Sequence, residues 1–385
     1  MNKRKKILII HFADLAQAPR THNQILFLKD KYDVNTAAFQ RSSIEGIINF
    51  KIDRPENKLI SEKIPFALSM KLFSSEKSYF QLPLVKNGLR TLMNIYDMNY
   101  DLIIAHDPIT LPLALTLAEK WNSKVLLDAH EYTPRQYEHN YSQRFFFNPF
   151  WHSICKKYLL RADAMTTVGD GIADEYKRHF KVNCDVITNA PFFQKLSPHQ
   201  IDSSIIRMIH HGRAHPSRRT EEMIRLMSLL DDRFHLDLIL INRGTKYYET
   251  IVELSRNTPR ISLRDPVPMT SIADSLNKYD IGLYLLFPTS FNTKMAVPNK
   301  LFEFIQARLA LAIWPSPEMK KIVKQYDCGI VSDDYSLESM AKMLNSLTDQ
   351  DIMNYKSNAH AAASILCAEN NRDKLLSIVE KLIGK

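Results

Sequence analysis

Four short stretches of this 385-residue chain put charged and imidazole side chains where the hydrophobic pattern predicts strand ends. The first is HHGRAHPSRRTEEMI, residues 210–224. Its strand ends at His211, and Gly212 permits a close backbone approach. Arg213, Arg218 and Arg219 follow, and a helix begins near Thr220, with Thr220 or Ser217 as its cap. Guanidinium forks beside a helix N-terminus suit a diphosphate. The same residues also read as a basic surface turn.

The second stretch is VPNKLFEF, residues 297–304. Here Lys300 and the amides after Pro298 could meet phosphate oxygens. Glu303 lies one turn further into the helix, among Leu301, Phe302, Phe304 and Ile305. A charge on an apolar turn is costly unless something pairs with it. A carboxylate there can accept two hydrogen bonds from the neighbouring hydroxyls of a ribose, or it can belong to a solvated face. The third stretch, IIAHDPITLPLAL, ends a strand at His106 and Asp107. The fourth, LLDAHEYTPRQY, places Asp128, His130, Glu131 and Arg135 at the next strand end. These fit a substrate or acceptor hydroxyl, and they fit equally well as polar groups that cap loops.

These positions depend on an alternating frame. Strand candidates are KILIIHF (its first strand Ile7 to Ile10), YDVNTAAF, DLIIAHD, KVLLDAH, AMTTVG and CDVITN, with amphipathic stretches such as LPLALTLAEKW and PFWHSICKKYLLRA between them. A second series follows: IRMIHHG, LDLILIN, RISLRD, DIGLYLL, LALAIW and CGIVSD. Such β–α alternation predicts parallel sheets covered by helices. The expected organisation is α/β, with two Rossmann-like doubly wound domains facing across a cleft. Their spans are 1–195 and 196–369, with a seam near 190–205. The C-terminal helix (Arg372 to Ile383, within 370–385) is expected to pack back on the first domain. Ligands bind off the carboxyl ends of strands in such sheets.

Composition narrows the classes. Apolar residues make up 45% and charged residues 24%, as in a soluble globular protein. No apolar run approaches a membrane span. The start, MNKRKKILIIHFADL, reads as a mature cytosolic N-terminus. Cys155, Cys184, Cys328 and Cys367 are far apart, which fits reduced thiols rather than a zinc site or a disulfide framework. The formal net charge is +9, with the excess larger in the first half. That suits anionic substrates or an anionic membrane surface, and no nucleic-acid motif accompanies it. There are nine glycines and no GxGxxG or P-loop, so a nicotinamide, flavin or P-loop enzyme is not expected.

The order of these motifs resembles the GT-B-fold retaining glycosyltransferases of the large group called family four. YDLIIAHDPITLPLAL, VLLDAHEY, RADAMTTVGDGIADE, ITNAP, HHGRAHPSRR, YDIGLYLL and VPNKLFEF carry the resemblance over nearly the whole chain. It implies that Arg213 and Arg219, with Arg218 beside them, bind the donor pyrophosphate. It also implies that Asn299 and Lys300 sit next to the donor phosphates, that Glu303 holds the ribose, and that His106 lies near the transferred sugar. Arg264 to Pro268, Val267 among them, would pass the base, and His130 and Glu131 would lie on the acceptor side. Three features depart from the family. Met295 stands where a first glutamate is frequent. The first loop, HFADLAQAPRTHNQ, has no glycine, so Arg20 would supply its charge. Arg308-Leu309-Ala310 replaces a Gly-Leu-Pro.

The implied reaction moves a sugar from a UDP- or GDP-sugar to a hydroxyl of a glycan or lipid-linked acceptor, with retention. The implied setting is bacterial cell-surface polysaccharide synthesis, in the cytoplasm and peripherally at the inner face of the membrane. No cofactor or metal is expected: no DxD run occurs, and arginines with a helix end would take the leaving-group charge. The departures keep a non-catalytic GT-B scaffold subunit open as another reading, and the same fold leaves a nucleotide-sugar epimerase as the other enzyme reading.

Overall fold

The structure, a computed structural model, describes residues 4–55, 75–95, 99–136, 138, 141–241 and 243–384, without the side chains of 141–143 and 146. The chain divides into two units. The first comprises 1–188, 290–292 and 371–385, and the second comprises 189–289 and 293–370.

The first unit holds a seven-stranded parallel sheet, ordered β3-β2-β1-β4-β5-β6-β7. Its strands are β1 Lys6–Ile10, β2 Asp33–Ala38, β3 Ile48–Lys51, β4 Leu102–His106, β5 Lys124–Ala129, β6 Ala164–Thr167 and β7 Asp185–Val186. The second unit holds a six-stranded parallel sheet, ordered β10-β9-β8-β11-β12-β13. These are β8 Ile206–Arg213, β9 Phe234–Ile241, β10 Ile261–Arg264, β11 Ile281–Tyr284, β12 Ala310–Ile313 and β13 Gly329–Val331. The central strands are buried on both faces, which is why LIIAH and IRMIH read as continuous apolar runs. β3 has no such signature. Its residues INFK are half-exposed at the sheet edge, and the sequence reading did not anticipate it.

In both sheets the strand order reverses beside the first strand, between β1 and β4 and between β8 and β11. One device pins both seams. Asp101, just before β4, accepts the Lys6 amide through Oδ2 at 2.8 Å. Asp280, just before β11, accepts the Arg207 amide through Oδ2 at 2.9 Å. The aspartate of each Tyr-Asp pair (YDLII, YDIGL) thus fixes the register of the neighbouring strand, and with it the level at which the strand ends open. Asp280 also pairs with the fully buried Lys356, whose Nζ donates to its Oδ1 at 3.0 Å.

The helix Asn299–Gln306 buries Leu301, Phe302, Phe304 and Ile305. Gly282 of β11 makes room for it, since a Cβ there would lie 2.4 Å from the Phe304 ring. The C-terminal helix runs Ala368–Ile383 and starts earlier than the sequence suggested. In the first unit its Asn371 Nδ2 donates to Thr188 O at 3.0 Å, and Lys31 pairs with Glu380 at 3.2 Å. All four cysteines are free thiols.

Candidate functional site

In the second unit, β8 ends in His210-His211-Gly212-Arg213 at the point of strand reversal. Gly212 has φ 138°, and a Cβ there would lie 2.5 Å from Lys300 Cε and Nζ. The lysine ammonium is therefore laid against the bare backbone at the strand end. It also stands 5.3 Å from the Tyr284 ring centroid. Arg218 Nη1 donates to Tyr284 Oη at 3.2 Å. Glu303, one turn along the helix from Lys300, brings Oε2 to 3.2 Å from His211 Nε2. Burial pushes the Lys300 ammonium down to about 8, Arg218 adds to this, and Glu303 opposes it. His210 Nδ1 contacts Leu283 O at 3.0 Å. A carbonyl can only accept, so Nδ1 carries the proton. Burial first, and then Lys300, hold this ring neutral.

The remaining expected donor-side residues are arranged differently. Arg213 is exposed and has no ion-pair partner among the described residues. Arg219 takes a left-handed backbone (φ 47°) at the start of the helix Thr220–Leu226. Its Nη2 donates to Glu222 Oε1 at 2.8 Å, and its guanidinium lies 4.6 Å from the Phe287 ring centroid. The expected cap by Thr220 or Ser217 is not formed. Arg219 itself occupies the cap position, and the buried Thr220 hydroxyl has no hydrogen-bond partner among the described residues. Asn299 opens its helix directly after Pro298, with no side-chain cap. Val267 is half-buried in the segment after β10, two strands from β8.

In the first unit, a histidine cluster forms at the ends of β1, β4 and β5. His106 is fully buried, and its Nδ1 lies 2.9 Å from His130 Nε2. His11 stacks on His106 at 4.6 Å and 19°. Its Nδ1 contacts Thr21 Oγ1 at 2.8 Å. Beneath them Arg20 and Asp128 form a buried ion pair. Arg20 Nε and Nη2 donate to the two Asp128 oxygens at 2.7 and 2.6 Å, and Nη1 donates to Ile187 O at 2.6 Å. Gln24 Nε2 and Thr166 Oγ1 also donate to Asp128, at 2.5 and 2.8 Å. Despite its burial, Asp128 is held well below the usual carboxylate range by Arg20 and His130. His11 is pushed down to about 4, mainly by burial and then by His130. His130 moves up, because Asp107 and Asp128 outweigh its burial. One of the three rings is thus the natural proton carrier.

Arg20, expected at donor phosphates, has its guanidinium committed to Asp128 and Ile187 here. His106 has no exposed surface, whereas the His130 side chain is 24% exposed. Glu131 is exposed beside it. The loop that follows is held by Phe291 and Asn292. Tyr132 N donates to Asn292 Oδ1 at 2.8 Å, Phe291 N donates to Glu138 Oε2 at 2.8 Å, and Arg135 lies 4.6 Å from the Phe291 ring centroid.

His11, His106 and His130 each offer a ligating nitrogen within 4.8 Å of the others. Two of these rings are nearly parallel, so their in-plane lone pairs do not converge as a tetrahedral ion requires. The His106–His130 contact also engages one nitrogen of each. The cluster as built is a hydrogen-bonded stack rather than a preformed cation site.

Sequence reasoning did not single out His11 or Tyr284. His11 carries no motif, and only its place directly after β1 marks it. Tyr284 sits in an apolar strand end and reads as core.

Residues 55–190 match the model of Glycosyltransferase Family 4. No curated protein matches the chain. Among solved structures it is similar to Anabaena HepE in complex with UDP and glucose, with a TM-score of 0.69 at 11% identity, over 98% of this chain and 100% of that one. It is similar to sucrose-phosphate synthase from Thermosynechococcus elongatus, with a TM-score of 0.69 at 12% identity, over 98% and 99%. It is also similar to WaaG, a glycosyltransferase involved in lipopolysaccharide biosynthesis, with a TM-score of 0.62 at 11% identity, over 97% and 99%. The chain has the fold of the GT-B glycosyltransferases, with a Glycosyltransferase Family 4 match across residues 55–190.

Proposed function

We propose that this protein is a glycosyltransferase that moves a sugar from a nucleoside diphosphate sugar, UDP- or GDP-linked, to a hydroxyl of a glycan or lipid-linked acceptor. The observation that carries this reading is the assembly at the end of β8. One carboxylate, Glu303, and one ammonium, Lys300, stand a helical turn apart against a backbone that only glycine leaves open. A carboxylate for a diol and cations for a diphosphate, at that spacing, fit a nucleoside diphosphate. HepE has been seen with UDP-glucose, and WaaG serves lipopolysaccharide biosynthesis. Those facts support the donor class and a role in cell-surface polysaccharide synthesis.

In this reading the leaving diphosphate gains charge as the glycosidic bond breaks. Arg213, Arg218, Arg219, Lys300 and the amides opening the helix at Asn299 stabilise that charge. No step calls for a metal ion. The sugar is transferred with retention, by front-face attack through an oxocarbenium-like state, and the histidine cluster of the first unit lies on the acceptor side. The protein works in the cytoplasm, peripherally at the inner face of the membrane.

The test is a thermal-shift screen with nucleoside diphosphates and their sugars, since a ligand that binds only the native state raises its melting point. It is followed by transfer assays in excess EDTA. The expected result is stabilisation by UDP or GDP, and full transfer activity with chelator present. Binding without transfer or hydrolysis of any donor would point to a scaffold. Activity lost to EDTA and restored by manganese or magnesium would remove the metal-independent mechanism.

A further inference from the structure

Lys300 and Arg218 are like charges brought to one residue. After burial, Arg218 is what pushes the Lys300 ammonium down, so the two cations feel each other. A carboxylate between them would relieve the repulsion, but it would also cancel the positive charge that a diphosphate needs. The residue found there is Tyr284, the last of β11, only 2% exposed. Its hydroxyl oxygen accepts from Arg218 Nη1 at 3.2 Å. Its ring face looks at Lys300 Nζ from 5.3 Å. Its ring also stacks on His210, 5.9 Å between centroids and 10° between planes. His210 is fixed in turn by Leu283 O. Burial keeps the phenol neutral.

We propose that Tyr284 is a positioning residue for the diphosphate of the donor: through its hydroxyl it aims Arg218, and through its ring it holds Lys300, without neutralising either. This rests on the nucleoside diphosphate reading of the site. A neutral acceptor and a π-face each attract a cation, yet they leave its charge available to a ligand. The arrangement is built on a strand rather than a loop, because Tyr284 is anchored on β11 beside β8. The two cations, by contrast, come from flexible side chains on other elements.

The test is a double-mutant cycle read by calorimetry with UDP and with uridine, and with GDP and guanosine in a parallel arm. Tyr284→Phe keeps the ring and removes the acceptor. It should weaken the diphosphate about three- to tenfold, the scale of one hydrogen bond, and leave the nucleoside unchanged. In an Arg218→Ala background the same substitution should add nothing, because its effect runs through Arg218. Tyr284→Leu should weaken the diphosphate further, since it also removes the ring from Lys300. Melting curves on all variants exclude loss of fold, and Tyr284→Phe serves where Tyr284→Leu does not fold. Three results would overturn the proposal: wild-type diphosphate affinity in Tyr284→Phe, full additivity with Arg218→Ala, or parallel loss of nucleoside affinity. A wild-type protein that binds neither UDP nor GDP removes the donor reading itself and the proposal with it.

Discussion

Glu303 Oε2 lies 3.2 Å from His211 Nε2, with the two side chains 14% and 10% exposed. The carboxylate that looked out of place on an apolar helix turn therefore does not face solvent. It looks back at the end of β8, and it has enough open surface left to meet a ligand. If it clamps a ribose, Glu303→Gln should keep the fold, because volume and helix propensity barely change. A hydrogen bond to a charged group is worth roughly 1.5–3 kcal/mol, so donor kcat/KM should fall about ten- to hundredfold. If Glu303 only steadies His211, the melting temperature should drop while the folded enzyme keeps its kinetics. Measuring both on the same preparation separates the roles. A stable variant with wild-type donor kinetics would end the clamp assignment.

Lys300 gives the site a pH dependence with a definite sign. Burial and Arg218 bring its ammonium down to about 8, so it loses its proton as pH rises through that value. A bound diphosphate favours the charged form and draws the proton back. Donor affinity should therefore be full well below pH 8 and decline above it. Binding near pH 8.5 should take up protons, seen as a dependence of the calorimetric heat on the ionisation enthalpy of the buffer. Lys300→Met should bind weakly at every pH and show no proton uptake. Uptake that persists in that variant would locate the titrating group elsewhere.

The frame was legible because central parallel strands buried on both faces leave continuous apolar runs, and the alternating pattern marked twelve of the thirteen strands among the described residues. β3 escaped because its four residues INFK alternate too little and stay partly exposed throughout, so no apolar run marks it. The strand-end residues were legible too, since Gly212, Lys300 and Glu303 stand in short stretches of fixed spacing. What spacing could not convey is which polar groups satisfy each other. Arg20 and Asp128 are 108 residues apart and form one buried pair. Arg20 therefore looked free in the sequence and is engaged in the fold. Tyr284 was hidden for the opposite reason, since a tyrosine at the end of an apolar strand looks like packing.

The aromatic and basic stretch YSQRFFFNPFWHSICKKYLLR, residues 141–161, suits either an interface with anionic lipid or packing into the core, and its described residues are divided between the two. Phe150 and Trp151 are buried in the first unit, while Phe145 and Leu160 are 59% and 67% exposed. Arg144, Lys156, Lys157 and Arg161 are exposed, but Lys157 pairs with Glu76 and Arg161 with Glu119. Among the described residues of the stretch the large apolar side chains left exposed are Phe145 and Leu160, and with partly neutralised cations they would support only weak, electrostatic attachment. Flotation with anionic liposomes should show binding at low salt that disappears near physiological ionic strength. Charge reversal at Arg144 and Lys156 should abolish it. Absence of binding at low salt by an active preparation would leave the peripheral-membrane role without support.

Arg308 stands where the resembling family has glycine, and its backbone keeps the glycine conformation, with φ 64°. For a residue with a Cβ this costs roughly 1–2 kcal/mol. The side chain offsets it. Arg308 is fully buried, and Nη1 donates to Ile305 O and Gln306 O at 3.2 and 2.7 Å, closing the C-terminal end of the helix that bears Lys300 and Glu303. Nη2 reaches Gln194 O at 2.5 Å, and Nε reaches His360 Nδ1 at 3.0 Å. Removing it leaves Gln306 O without this donor, at about 1–3 kcal/mol, whereas Ile305 O and Gln194 O keep the amides of residue 308 and Leu196. Arg308→Ala should therefore lower stability by about one such increment plus the packing of a fully buried side chain, because it keeps the backbone strain and loses the bonds. Arg308→Gly should be less damaging by about 1 kcal/mol, since only the bonds are lost and the strain goes with the Cβ. Urea melts of the three proteins give the order directly. A glycine variant as stable as the wild type would mean that the guanidinium contributes nothing net and that the departure from glycine is tolerated rather than used.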